Sequence, residues 1–175
     1  MRQITPGGNK VGAPIYIGTI EKEESDKIFA FYDRDGSKKI ERDEFRYLCH
    51  DRFRMPDTKK VNALLNLIFI ASDGEGKNNY NDEKLNKDEF YNILKLFPEE
   101  FKNHEIDLCQ VLFKLVDRKS TGSITFGDLH RFLTKHYSLF GLFESISKMK
   151  EYDTDNNKEL DFDEFYKLVF DMTCL

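Results

Sequence analysis

The chain has 175 residues, enough for one sizeable domain or two small lobes with a true hydrophobic core. A formal charge of −5 and a pI near 5.5 exclude a nucleic-acid backbone as its main partner. Three cysteines, Cys49, Cys109 and Cys174, make an odd number without metal-ligand spacing and read as reduced thiols of an intracellular protein.

No apolar h-region follows Met1, and Arg2 stands where a myristoylation signal needs glycine. Cys174 is misplaced for prenylation, and no apolar run approaches the roughly 20 residues that span a bilayer. The expectation is a cytoplasmic protein without a membrane anchor. Residues 1–19 are rich in glycine and hold two of the four prolines, so they read as a flexible arm whose one apolar patch is Ile15-Tyr16-Ile17.

From about Glu21 the pattern turns helical, with Ile28, Phe29 and Tyr32 on one face. It runs into a twelve-residue stretch, Asp33 to Glu44, whose positions 1, 3, 5, 9 and 12 are Asp33, Asp35, Ser37, Glu41 and Glu44. Ile40 takes position 8. Phe45, Leu48 and Cys49 then recur at the spacing of an outgoing helix's buried face. A second copy is stretched. Ile68 and Phe69 precede Asp73, and Glu89-Phe90 with Ile93 and Leu94 closes the unit. Asp73 to Glu89 spans seventeen residues, so residues 74–79 read as an insertion and tight metal binding is not expected there. A twelve-residue register from Asn78 is the alternative, but it puts Tyr80 at position 3.

Between this copy and the next lies Leu96-Phe97-Pro98-Glu99-Glu100-Phe101. Pro98 interrupts any continuous helix, and the phenylalanines favour two lobes packed together over an exposed rod. The third copy, Asp117 to Asp128, carries Lys119 at position 3 and the shorter Asp128 at position 12, so both its charge and its reach disfavour a cation. The fourth, Asp153 to Glu164, is the most complete. Asp153, Asp155 and Asn157 offer oxygens, Glu159 its carbonyl at position 7, Asp161 a direct or water-borne contact, and Glu164 two carboxylate oxygens. That ligand number suits Ca²⁺ better than Mg²⁺.

With these loops the sequence resembles the EF-hand superfamily over about residues 21–170, most specifically at 33–45 and 153–165. Calmodulin-like sensors and sarcoplasmic-type calcium-binding proteins are similar. The resemblance implies an all-α fold of four EF-hand helix–loop–helix units in two paired lobes, over 20–96 and 97–175. Short β contacts at position 8 would set Ile40 beside Leu85 and Ile124 beside Leu160. It implies two Ca²⁺ ions, with Mg²⁺ able to take their place in the apo-like state. One would be held by Asp33, Asp35, Ser37, the Lys39 carbonyl and Glu44, the other by Asp153, Asp155, Asn157, the Glu159 carbonyl and Glu164. One departure is position 6, where Lys38 and Lys158 replace the expected glycine. Left-handed backbone at a non-glycine residue costs about 1–2 kcal/mol, or roughly tenfold in affinity, which leaves binding in the range of roughly 10⁻⁷–10⁻⁵ M.

No Ser/His/Asp or Cys/His spacing suggests a nucleophile, so no catalytic residue and no enzymatic activity are expected. His130 and His136 stand six apart, off one helical face, while His50 and His104 are isolated, so none forms a zinc set. The basic cluster Arg52, Arg54, Lys59 and Lys60 reads as a solvated helix junction. The functional expectation is a monomeric Ca²⁺ sensor that opens an apolar groove for a partner's amphipathic helix. A buffer that barely opens and a constitutive regulatory subunit are the alternatives. Only four methionines, Met1, Met55, Met149 and Met172, argue against a broad methionine-lined groove.

Overall fold

The computed structural model describes residues 20–73, 83–136 and 141–174; the 1–19 arm and the 74–79 insertion lie outside them. Each acidic loop joins two helices whose apolar residues recur every three or four positions and so collect on one face. In the first unit α1 (Lys22–Tyr32) buries Ile28, Phe29 and Tyr32, and α2 (Arg42–Arg52) buries Phe45, Leu48 and Cys49. The second unit is built from α3 (Lys59–Ser72) and α4 (Lys87–Leu94), the third from α5 (His104–Val116) and α6 (Phe126–His136), and the fourth from α7 (Leu142–Tyr152) and α8 (Phe162–Cys174). Side-chain caps start two incoming helices. Thr58 accepts from the Val61 N–H, and Asn103 from the Glu105 and Ile106 N–H groups.

The loops pair through four two-residue strands: β1 (Ile40–Glu41), β2 (Lys84–Leu85), β3 (Ile124–Thr125) and β4 (Glu159–Leu160). β1 lies antiparallel to β2 with Ile40 opposite Leu85, and β3 antiparallel to β4 with Ile124 opposite Leu160. Both position-8 pairings expected from the sequence are therefore formed, and all four residues have no exposed surface. A ladder this short is not stable alone. It holds because the flanking helices of each pair share one core, in which Phe29 meets Phe90 and Phe113 meets Phe165 edge to face.

The two halves meet through α3, which packs on α5, α6 and α8. The link between them carries Phe97 into the core, where Phe53, Phe97, Phe101 and His104 form a chain of ring contacts. Lys60 departs from the solvated role expected of its cluster. Its ammonium lies 3.1 Å from Glu105 and 3.8 Å from the centre of the Phe170 ring, joining α3 to α5 and α8. Lys135 of α6 donates to the Asp73 carbonyl at 2.8 Å and to the Ala71 carbonyl at 3.4 Å, closing the C-terminal end of α3. His50 bonds the Met55 carbonyl and Asn62 and ties α2 to α3. Among the described residues, no helix is long and apolar enough to cross a membrane.

Candidate metal centres

The first and fourth loops share an unusual backbone. Positions 4 and 6 adopt positive φ in both, at Gly36 (72°) and Lys38 (62°), and at Asn156 (60°) and Lys158 (69°). The third loop does the same at Ser120 and Gly122. These two bends turn the position-6 amide inward onto the first aspartate. Lys38 N–H donates to Asp33 and Lys158 N–H to Asp153, each at 2.9 Å. The sharp corner expected from the sequence is thus present, with a lysine bearing the strain at both sites.

The turn brings three carboxylates together in each loop. Oxygens of Asp33, Asp35 and Glu44 all lie within 4.8 Å of one another, as do those of Asp153, Asp155 and Glu164. The remaining sequence-derived positions line the same bends. Ser37 donates its hydroxyl to the Lys39 carbonyl at 3.0 Å, and its N–H to Asp35 at 2.9 Å. The Ser37 N–H and hydroxyl hold the Asp35 carboxyl below its ordinary value, with smaller help from the Lys84 ammonium. Asn157 bonds Asp153 and Asp155 and accepts from the Glu159 N–H at 2.8 Å.

Glu44 and Glu164 each do two things. One oxygen of Glu44 accepts from the Glu41 N–H at 3.0 Å and caps α2, while the other reaches back to the Arg34 N–H at 2.8 Å. Glu164 likewise accepts from the Asp161 N–H at 3.1 Å and from the Thr154 N–H and hydroxyl at 2.7 Å each. Its side chain is only 3% exposed. Burial opposes its charge, but the Thr154 hydroxyl and amide and the Asp161 amide outweigh burial and hold the carboxyl below its usual value. Three carboxylates held this close repel one another, and a divalent cation is the counter-ion that relieves them. Every donor is oxygen, so the set fits a hard cation.

Among the described residues, the other two loops keep the frame but show no such cluster. In the third, Asp117 accepts from the Gly122 N–H at 2.8 Å, repeating the position-6 bond. Asp128, however, is held by the Thr125 hydroxyl at 2.5 Å and by Arg131 at 3.1 Å. Among the described residues, no three-carboxylate group forms there. In the second loop Glu83, at φ 57°, donates its N–H to Asp73 at 2.7 Å, and Glu89 caps α4 through the Asn86 N–H. Asp73 and Glu83 therefore stand in the relation of positions 1 and 6. The extra residues lie between them, which supports the insertion over the Asn78 register.

A family model described as an EF-hand domain pair matches residues 105–170. Residues 105–170 are thus similar to an EF-hand pair, and the first loop gathers the same three-carboxylate cluster as the fourth. Among curated proteins, Calcium-dependent protein kinase 10 of Arabidopsis thaliana is 32% identical over 89 residues, which are 50% of this chain and 15% of that protein. The chain thus spans a small part of that relative's length. A solved structure of Mg²⁺-loaded apo-berovin, a light-sensitive ctenophore photoprotein, aligns over 90% of both chains at 18% identity. The TM-score of that alignment is 0.40.

The two acidic loops have a neighbour that the sequence reading passed over. Tyr32, directly before Asp33, donates its hydroxyl to Asp51 of α2 at 2.7 Å. Tyr152, directly before Asp153, donates to Asp171 of α8 at 2.6 Å. Burial, with the carboxylate partner, pushes both phenols above their ordinary range. A signal was available: each tyrosine precedes its aspartate by nineteen residues, a spacing that shows only when the first and fourth hands are laid over one another.

Proposed function

We propose that this EF-hand protein is a monomeric, cytoplasmic Ca²⁺ sensor whose first and fourth hands report ion binding as movement of their outgoing helices. Asp33, Asp35, Ser37, the Lys39 carbonyl and Glu44 would hold one ion; Asp153, Asp155, Asn157, the Glu159 carbonyl and Glu164 would hold the other. A bound divalent cation supplies positive charge at the point where the carboxylates converge. The observation that carries the reading is the double role of Glu44 and Glu164. Each is the third residue of its outgoing helix and caps it, yet each also reaches back across its loop. A change in what these carboxylates bind is therefore felt by α2 and α8 directly.

Helix α8 carries the surface that such movement would widen. Tyr166 and Phe170 stand beside an open groove of about 480 Å³ that Tyr152, Thr154, Lys167 and Asp171 complete. A partner's amphipathic helix is the proposed occupant. Met55 and Met149 are buried in the core, so the groove is not methionine-lined and a narrow partner range follows.

The test pairs calorimetric Ca²⁺ titration with an apolar fluorescent dye. Two binding events are expected, E44Q and E164Q each abolishing one, and dye fluorescence should rise with Ca²⁺. Two events without a dye response make the protein a buffer. A dye signal and partner capture that persist in chelator make it a constitutive subunit.

A further inference from the structure

We propose that Tyr32 with Asp51, and Tyr152 with Asp171, are positioning residues that preset the two metal centres by clasping each incoming helix to its outgoing partner. The two clasps are alike in detail. Each tyrosine ends its incoming helix and abuts the first loop aspartate. Each ring is buried, Tyr32 at 3% and Tyr152 at 7% exposed, so the hydroxyl is presented from a rigid base. Each acceptor lies seven residues beyond the twelfth-position glutamate, Asp51 after Glu44 and Asp171 after Glu164. Seven residues are close to two helical turns, so glutamate and aspartate share one stripe of the outgoing helix. A bond to the aspartate sets the rotation of that stripe and its distance from the incoming helix. It thereby sets how the glutamate meets the aspartate that follows the tyrosine.

The other two hands supply a comparison within the molecule. Ser72 and Leu96 occupy the clasp positions in the second hand, Val116 and Lys135 in the third, and neither pair can form the bond. Among the described residues, the buried Ser72 hydroxyl has no hydrogen-bond partner. Lys135 instead closes the end of α3. Among the described residues, the clasp thus occurs in the two hands with a three-carboxylate cluster and in neither of the others.

This inference rests on the first and fourth loops binding a divalent cation. Its test is Ca²⁺ titration of the full chain carrying Y32F or Y152F, which remove one hydroxyl and keep the ring. Each variant is measured alone and with the opposite centre disabled by E164Q or E44Q. Y32F should weaken the first centre by about three- to tenfold and leave the fourth unchanged, and Y152F should do the reverse. D171N keeps an acceptor oxygen and should stay near wild type, whereas D171A should match Y152F. A contribution to folding alone would lower the melting temperature in chelator and leave both affinities unmoved, which overturns the proposal. Tighter binding in the phenylalanine variants overturns it too, because the clasp would then oppose binding. A wild-type chain that takes up no Ca²⁺ removes the reading beneath it as well, and that outcome is distinct from the others.

Discussion

Lys38 and Lys158 stand where the backbone has φ of 62° and 69°, and the least strained version of that corner, Gly122, belongs to a loop without the acidic cluster. Corner geometry and ligand chemistry are thus separate variables in this chain. K158G is expected to tighten the fourth-hand site by up to about tenfold, read by calorimetric titration; unchanged or weaker binding would contradict the strain argument. Asp128 offers a pH test. Burial works against its charge, but bonds from the Thr125 hydroxyl and from Arg131 hold its carboxyl below the ordinary value of 3.8. A carboxyl depressed by folding stabilises the fold above its unfolded value and loses that contribution as pH falls through the folded one. D128N should therefore lower stability by about 1–3 kcal/mol at neutral pH. The gap in urea midpoints between D128N and wild type should narrow as pH falls below about 4.

At the scale of the element, the repeating unit is a loop welded to the helix that follows it. The ninth and twelfth positions make reciprocal end contacts at Glu41 and Glu44, Asn86 and Glu89, Thr125 and Asp128, and Asp161 and Glu164. Among the described residues, this frame survives in the third hand without an acidic cluster, so losing ligands does not require losing the fold. The third hand should then be repairable. In a K119D/D128E double variant, with an acid at position 3 and a longer one at position 12, a further Ca²⁺-binding event is expected in the titration. Absence of that event would place the fault with Arg131, which now pairs with Asp128. The frame was largely legible in the sequence because its signals are local: an apolar position 8, glutamates at fixed spacing and aromatic helix faces. The Tyr–Asp clasps were not read, because a tyrosine beside an acidic loop gives no local sign of an acceptor on the far helix.

The whole molecule is held by contacts between its halves that belong to no single hand. α3 packs on α5, α6 and α8, with Lys60 over Phe170 and beside Glu105, and with Lys135 closing the end of α3. K135M removes a cation from a helix C-terminus and should cost about 0.5–1 kcal/mol. Amide exchange at the end of α3 should quicken by roughly two- to fivefold, read by hydrogen exchange. Confinement of the faster exchange to α6 would argue against a tie between the halves. The tie draws on the second, third and fourth hands, through α3, α5, α6 and α8.

The sequence by itself determined the four repeated units, the two acidic loops and the position-8 pairings, since each is set by residue spacing along one helix or one bend. Tertiary structure alone decided that Lys60 and Lys135 join the halves, that Arg131 pairs with Asp128, and that two tyrosines clasp the acidic hands. Those outcomes depend on which side chains meet across packed helices, and meetings between residues distant in the chain leave no period in it.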